Sequence, residues 1–182
     1  MKVIPLRLTG ANVIEPIVHG DQRGFFMESY NQQVMQDEGM THTFVQDNQS
    51  LSVDAGVIRG LHYQLNPKAQ TKLIRVLTGA IYDVILDIRK SSPTFGQWVS
   101  VILSEHNHRQ LLVPKGFAHG FCTLVPNTQV LYKVDEYYSP LYDRGILWND
   151  PALSIDWPTS KAILSEKDKK LPLLTNAEIN FL

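Results

Sequence analysis

Pro114-Lys115-Gly116-Phe117-Ala118-His119 is the stretch that decides the fold. Proline fixes its own φ and glycine opens backbone angles closed to other residues, so the pair sets a turn, and the histidine follows at the start of a strand. Upstream lies a second frame: Gly56, five residues, His62-Tyr63-Gln64, then Lys72, six residues, Gly79. Short β-branched and aromatic runs surround both frames, broken by glycine, proline and asparagine. They predict strands over 13–18, 25–30, 43–48, 57–64, 72–77, 80–89, 98–103, 109–113, 119–125 and 129–137. A helix is expected from Asn31, as N-cap, to about Glu38, with Gly39 as its stop, and a second helical piece near Ser165–Lys170. Many strands at close spacing make an all-β sandwich or barrel, and such an enclosure can hold one ligand.

In order and spacing the two frames resemble the paired signature of the cupin jelly-roll β-barrel, whose first half reads glycine, five residues, H-x-H, a glutamate, six residues, glycine. Here the glycines and the first histidine remain, but Gln64 replaces the second histidine and Lys72 stands at the carboxylate position. A cupin metal takes imidazoles and a carboxylate, and an ammonium there repels a divalent cation. No metal and no other cofactor is therefore expected. Lys72 can instead supply positive charge to an oxyanion that develops during reaction. Strict alternation puts His62 and Gln64 on one face of their strand and Arg59 on the other. If Arg59 also reaches the ligand, the strand must twist or bulge, most easily at Gly60. Gln46 and Asn48 share a face without adjustment.

Composition narrows the classes of partner. The 182 residues carry 17 basic and 18 acidic side chains, well mixed, for a net charge of -1. That supplies no general field for nucleic acid or a membrane surface, so any anion site is local. The single cysteine, Cys122, has no intramolecular partner and suits a reducing, cytoplasmic setting. Met1–Arg7 contains Pro5 and no long apolar stretch, which argues against a secretory signal. No linker divides the chain, so residues 1–182 are expected to form one domain.

Several stretches are more specific than the cupin frame. They include Asp21-Gln22-Arg23-Gly24-Phe25-Phe26-Met27-Glu28, Phe44-Val45-Gln46-Asp47-Asn48 and Ile58-Arg59-Gly60-Leu61-His62-Tyr63-Gln64. Further on come Ala69-Gln70-Thr71-Lys72, Leu131-Tyr132-Lys133, Trp148-Asn149-Asp150-Pro151 and Leu164-Ser165-Glu166-Lys167-Asp168. From about Ile14 to Asp168 the chain resembles the dTDP-4-dehydrorhamnose 3,5-epimerase family. The resemblance implies inversion of the two carbons flanking a ring ketone, on the route to dTDP-L-rhamnose and cell-surface polysaccharide. Such chemistry needs a base, an acid on the opposite face and a cation near the ketone oxygen, and no nicotinamide.

The same resemblance implies particular roles. His62 is the base and Asp168 the carboxylate that orients it; without the resemblance, Asp168 reads as one charge in the run Glu166–Lys170. Tyr132 is the acid and Lys72 steadies the enolate. His119 lines the cavity as a hydrogen-bond partner, with Asp83 a candidate to fix its tautomer. Arg23, Arg59 and Lys167 hold the diphosphate or sugar, although Arg23 also reads as part of a surface turn. Glu28, Gln46 and Asn48 lie around base and ribose, and Tyr138 either stacks on thymine or shapes the sugar pocket. The sequence departs from the family at Thr71, usually glycine, at Gln49, usually histidine, and at Asp143, a substrate-contact position whose side chain is one methylene shorter than the usual glutamate.

Three rival readings remain open on sequence: an epimerase acting at one centre or on another 4-keto-6-deoxy nucleotide sugar, a metal-dependent cupin oxygenase, and a catalytically silent sugar-binding cupin. The resemblance also implies a homodimer in which an N-terminal strand crosses to the partner sheet. Pairing an edge strand in this way removes an aggregation hazard.

Overall fold

The computed structural model describes residues 1–182. Thirteen strands follow in order: β1 Lys2–Pro5, β2 Asn12–Glu15, β3 Val18–Asp21, β4 Gly24–Met27, β5 Gln46–Ser52, β6 Ile58–Gln64 and β7 Lys72–Thr78. After them come β8 Ala80–Asp87, β9 Trp98–Ser104, β10 Gln110–Val113, β11 Phe117–Thr123, β12 Thr128–Val134 and β13 Asp143–Gly145. One short helix, α1 (Gln32–Asp37), starts at Asn31, whose Oδ1 accepts from the backbone N–H groups of Gln33 and Val34. It ends at Gly39, whose φ of 81° lies in the left-handed region. The helical piece expected at Ser165–Lys170 is a single 3-10 turn, Asp168–Lys170.

Two antiparallel sheets face each other, six strands in the order β1-β2-β10-β7-β12-β5 and five in the order β13-β6-β11-β8-β9. The all-β, cupin-like architecture is as expected. No ladder joins the two sheets, so the enclosure is a jelly-roll sandwich rather than a hydrogen-bonded closed barrel. The strand expected at 13–18 is divided between β2 and β3 around Pro16, which has no N–H to donate to a ladder.

Period-2 alternation sorts the side chains into layers. Ile74, Val76, Leu111, Val113 and Val130 of the larger sheet meet Ile81, Ile85, Leu103, Phe117 and Phe121 of the smaller one. The outward face of the smaller sheet (Ile58, Leu61, Tyr63, Val84, Leu86, Ala118) is covered by Leu153, Trp157, Ile179 and Phe181 from the C-terminal segment. Helix α1 covers Ile14, Leu73 and Leu112 with Met35. The apolar interlayer fills only part of the sandwich. The same inward parity places Lys72, Tyr132, His62 and His119 in what remains, so continuing the alternation makes a polar cavity at one end of the core. No helix is long and apolar enough to cross a membrane.

The ladder between β6 and β11 slips once. His119 faces His62 and Phe121 faces Arg59, so three steps on β6 match two on β11. This bulge falls at Gly60, whose φ is 131°. It returns Arg59 and His62 to the same side, the adjustment the sequence required if both were to reach one ligand. A Cβ at Gly60 would lie 2.5 Å from Gly120 Cα and 2.8 Å from the His119 carbonyl oxygen. Gly60→Ala is accordingly expected to destabilise the fold by about 2–4 kcal/mol, through strain at positive φ and overpacking against backbone. Urea unfolding checks this.

Candidate active site

His62 stands on β6 of the smaller sheet, and its Nε2 lies 2.7 Å from Asp168 Oδ1. Asp168 is brought there by the chain after the core. Two backbone bonds hold that segment at Ile163, which accepts the Ile58 N–H at its carbonyl and donates its own N–H to the Gly56 carbonyl. Residues 163–168 therefore run beside β6, and the Ser165 hydroxyl accepts from the Asp168 N–H at 3.0 Å. Asp168 is buried, not the exposed charge its neighbours imply. Burial pushes its carboxyl pKa up, but the His62 hydrogen bond and charge, the Gly60 N–H and the Ser165 hydroxyl outweigh it, leaving the group below the usual range. An anion can only accept, so Nε2 of His62 carries a proton, and in the neutral imidazole the lone pair is then on Nδ1.

Tyr132 on β12 and Lys72 at the head of β7 belong to the opposite sheet. The two walls enclose a cavity of about 500 Å³, lined by Arg59, His62, Lys72, His119, Tyr132 and Asp168 among others. A smaller lobe of about 200 Å³ is lined by Gln46, Asn48, Gln64, Tyr138 and Asp143. The lobes share His62, Lys72, Tyr132 and Lys167, which stand where they meet.

Burial raises the Tyr132 phenol, with Arg59 opposing and Asp143 adding, so it holds its proton through neutral pH. Burial lowers Lys72 to about 8, against smaller raising effects of Asp143 and Asp83. Its only hydrogen-bond partner is the His62 carbonyl at 3.5 Å, a long contact that leaves the ammonium able to engage a ligand oxygen.

His119 is held by Asp83, Nε2 to Oδ1 at 2.7 Å. Asp83 is fully buried with its second oxygen unpartnered. Burial pushes its carboxyl up, against lowering by His119 and Lys72. Lys167 pairs with Asp143 at 2.5 Å, and the Tyr138 hydroxyl donates to the same Asp143 oxygen at 3.1 Å. Arg59 donates to the Ser52 hydroxyl and the Leu51 carbonyl on β5. Gln46 and Asn48 share a face as expected, with a 2.9 Å bond between their side chains.

Two expected ligand residues are elsewhere in this chain. Arg23 is paired with Asp21 at the tip of the exposed β3–β4 hairpin. Glu28 borders a groove beside α1, next to Tyr30 and Met35. Gln49, noted in the sequence only as a departure from the family, lines the larger lobe, as do Ser50, Phe121 and Ser165, to which sequence reasoning gave no role. Ser165 had a readable signal, a serine three residues before an acid, the pattern that caps a helical turn.

A cupin-like scaffold ordinarily raises the question of a divalent cation, and this donor set does not fit one. His62 and His119 are each engaged by a carboxylate through Nε2, an ammonium takes the place of the acidic ligand, and Gln64 is spent on backbone groups of Lys68, Tyr137 and Ser139. No group of three or more His, Cys, Asp or Glu side chains is arranged to hold a metal ion. What such a cavity is equipped for is proton transfer, and the class it defines is that of the carbohydrate epimerases. Residues 5–176 match the family described as dTDP-4-dehydrorhamnose 3,5-epimerase, and the chain belongs to that family. A relative of that name from Shigella flexneri is 53% identical over 169 residues, covering 92% of this chain and 93% of its own. The crystal structure of the Bacillus anthracis enzyme with TDP and PPi bound is 66% identical at a TM-score of 0.93, covering 94% of this chain and 98% of that one. A Legionella pneumophila structure in complex with dTDP-4-keto-L-rhamnose is 47% identical at a TM-score of 0.92, covering 96% and 93%.

Proposed function

We propose that this chain converts dTDP-4-dehydro-6-deoxy-D-glucose to dTDP-4-dehydro-L-rhamnose by inverting both carbons beside the ketone. The observation that carries the reading is the 2.7 Å His62–Asp168 pair opening into the same cavity as Tyr132 and Lys72. Nδ1 of His62 removes the proton from a carbon next to the carbonyl, and the electron pair moves onto the ketone oxygen. The Lys72 ammonium, in a low-dielectric site, stabilises that enolate. Tyr132, from the opposite wall, returns a proton to the other face of the same carbon. His62 is then protonated and Tyr132 ionised; exchange with solvent resets both before the second carbon reacts. Arg59 and Lys167 bind the diphosphate, with Gln46, Asn48, Tyr138 and Asp143 around the rest of the ligand.

The partner is a second copy of the chain. Phe25 and Phe26 are 60% and 73% exposed on a two-stranded hairpin that is hydrogen-bonded into neither sheet. Apolar surface presented in this way is covered by association. A hairpin that crosses to the other protomer also accounts for Arg23 and Glu28 standing away from their own cavity. Residues 1–182 act as one domain, because Ile179 and Phe181 at the end of the chain pack with Ile58 and Leu61 beside the site. The setting is cytoplasmic, in keeping with the buried free thiol of Cys122.

Incubation with dTDP-4-dehydro-6-deoxy-D-glucose in deuterium oxide tests the function. Label is expected at both carbons flanking the ketone. Label at one alone assigns a single-centre epimerase, and label at neither rejects the reading.

A further inference from the structure

Asp135 sits one residue beyond β12 and lines neither lobe of the cavity. Its carboxylate nevertheless ties together the segments that carry three of the site's groups. Oδ1 accepts the Thr71 N–H at 2.6 Å, and the Asp135 N–H donates to the Thr71 carbonyl at 3.3 Å. These two bonds close a ring on the residue immediately before Lys72. They extend the β12–β7 ladder past its last register pair, Val134 with Lys72. Oδ2 faces Lys115 at 3.3 Å, in the turn that leads into the His119 strand, and His42 at 3.7 Å, in the segment after α1. Neighbouring charges on the same stretch are already paired with each other, Lys68 with Glu136 at 3.2 Å.

We infer that Asp135 is a positioning residue: by clamping Thr71 it sets where the Lys72 ammonium stands relative to Tyr132, two strands' ends being pinned by one carboxylate. The geometry gives it leverage. Lys72 opens its strand as the last register pair of both neighbouring ladders, with Val113 on one side and Val134 on the other, and its ammonium has a single long hydrogen bond of its own. A long flexible side chain in that position takes its placement from the backbone behind it. Oδ1 of Asp135 is the acceptor that holds the Thr71 N–H just ahead of Lys72, and a displacement of about 1 Å at a reacting group lowers a rate on the order of a hundredfold. Lys115 and His42 hold the second oxygen, so the carboxylate is braced from the side opposite Thr71.

The inference rests on the role given to Lys72 above, and two variants separate them. Asp135→Asn keeps an acceptor of the same length for the Thr71 N–H. Asp135→Glu keeps the charge but moves the acceptor by one methylene. Turnover of the Asn variant is expected within about threefold of the parent, and turnover of the Glu variant tenfold or more below it. Affinity for dTDP is expected to be unchanged in both, because Arg59 and Lys167 are untouched. The alkaline limb of kcat/KM is expected to move in the Glu variant as Lys72 changes surroundings. Equal losses in turnover and dTDP affinity, a Glu variant as active as the parent, an Asn variant as poor as Glu, or failure of the isosteric Asn variant to fold each overturn the clamp. A parent profile with no limb near pH 8 faults the reading of Lys72 itself, whereas a parent limb that stays put in the Glu variant faults only Asp135.

Discussion

His62→Ala is expected to lower epimerase turnover about a thousandfold to ten-thousandfold, with dTDP affinity within a few fold of the parent. General-base catalysis contributes on the order of a hundredfold to ten-thousandfold, and here one imidazole serves both inversions. Its ring is partly exposed to the cavity and braced from behind by a buried carboxylate, so removing it leaves only the recessed, weakly basic Asp168 and His119 beside the same space. His119 is held by Asp83 and lies directly across the ladder from His62, not across the cavity from it. Asp168→Asn is expected to cost about a hundredfold to a thousandfold. The amide can donate to Nε2, which places the proton on Nδ1 and removes the lone pair that takes the substrate proton. Combining the two substitutions should add little to His62→Ala alone, since the carboxylate acts through the imidazole. Steady-state kinetics with a coupled reductase and calorimetric dTDP titration check all three; additive losses in the double variant contradict the paired role.

Lys72→Met is expected to raise thermal stability while it removes activity. A buried ammonium whose pKa falls from 10.5 to about 8 binds its proton more weakly in the folded than in the unfolded chain. Folding below pH 8 therefore carries a penalty of about 3 kcal/mol, which fades as pH rises from about 8 towards the ordinary lysine value, where both states are neutral. Methionine fills similar volume without charge, so Tm at neutral pH is expected to rise by about 3 to 8 °C. Turnover is expected to fall about a hundredfold to a thousandfold, the usual effect of deleting one oxyanion-stabilising group. In the parent the ammonium is present below pH 8 and lost above it, so kcat/KM is expected to decline on the alkaline side with a midpoint near pH 8. Differential scanning fluorimetry and a pH–rate profile of parent and variant decide this; a variant less stable than the parent, or a parent profile flat to pH 10, would contradict it.

The parts of this site that follow from local rules were legible in the sequence. Gly56, Gly79 and Gly116 frame turns, and each has a positive φ in the structure. Parity alone required a bulge if Arg59 and His62 were to share a ligand, and the register slips at Gly60, where a side chain has no room. Lys72 in place of a carboxylate was readable as a change of chemistry, because an ammonium and a divalent cation exclude each other. Asp168 was different. Its neighbours form a solvated run, and its burial depends on a segment 106 positions away from His62 in sequence closing onto β6, a contact no local pattern encodes. Only the family resemblance supplied it. The short strands β1 and β13 were missed, and β3 was met only at Val18, for a related reason: each is three or four residues long and gains its definition from a partner rather than from its own alternation. The strand expected at 43–48 begins at Gln46 and runs on to Ser52 because its polar residues pair with β12, so ladder partners override composition. Asp135 escaped notice altogether, since a lone acid after a strand carries no signal until its Thr71 contact is seen.

The central claim is that base and acid address one sugar ring from opposite sheets with an ammonium at the ketone. A crystal structure of this chain with the 4-keto nucleotide sugar bound tests it most directly. The expected result places the carbon beside the ketone about 3–3.5 Å from His62 Nδ1 on one face and from the Tyr132 hydroxyl on the other, with Lys72 Nζ at hydrogen-bond distance from the ketone oxygen. A ring with His62 and Tyr132 on the same face, or with Lys72 turned to the diphosphate, would contradict it.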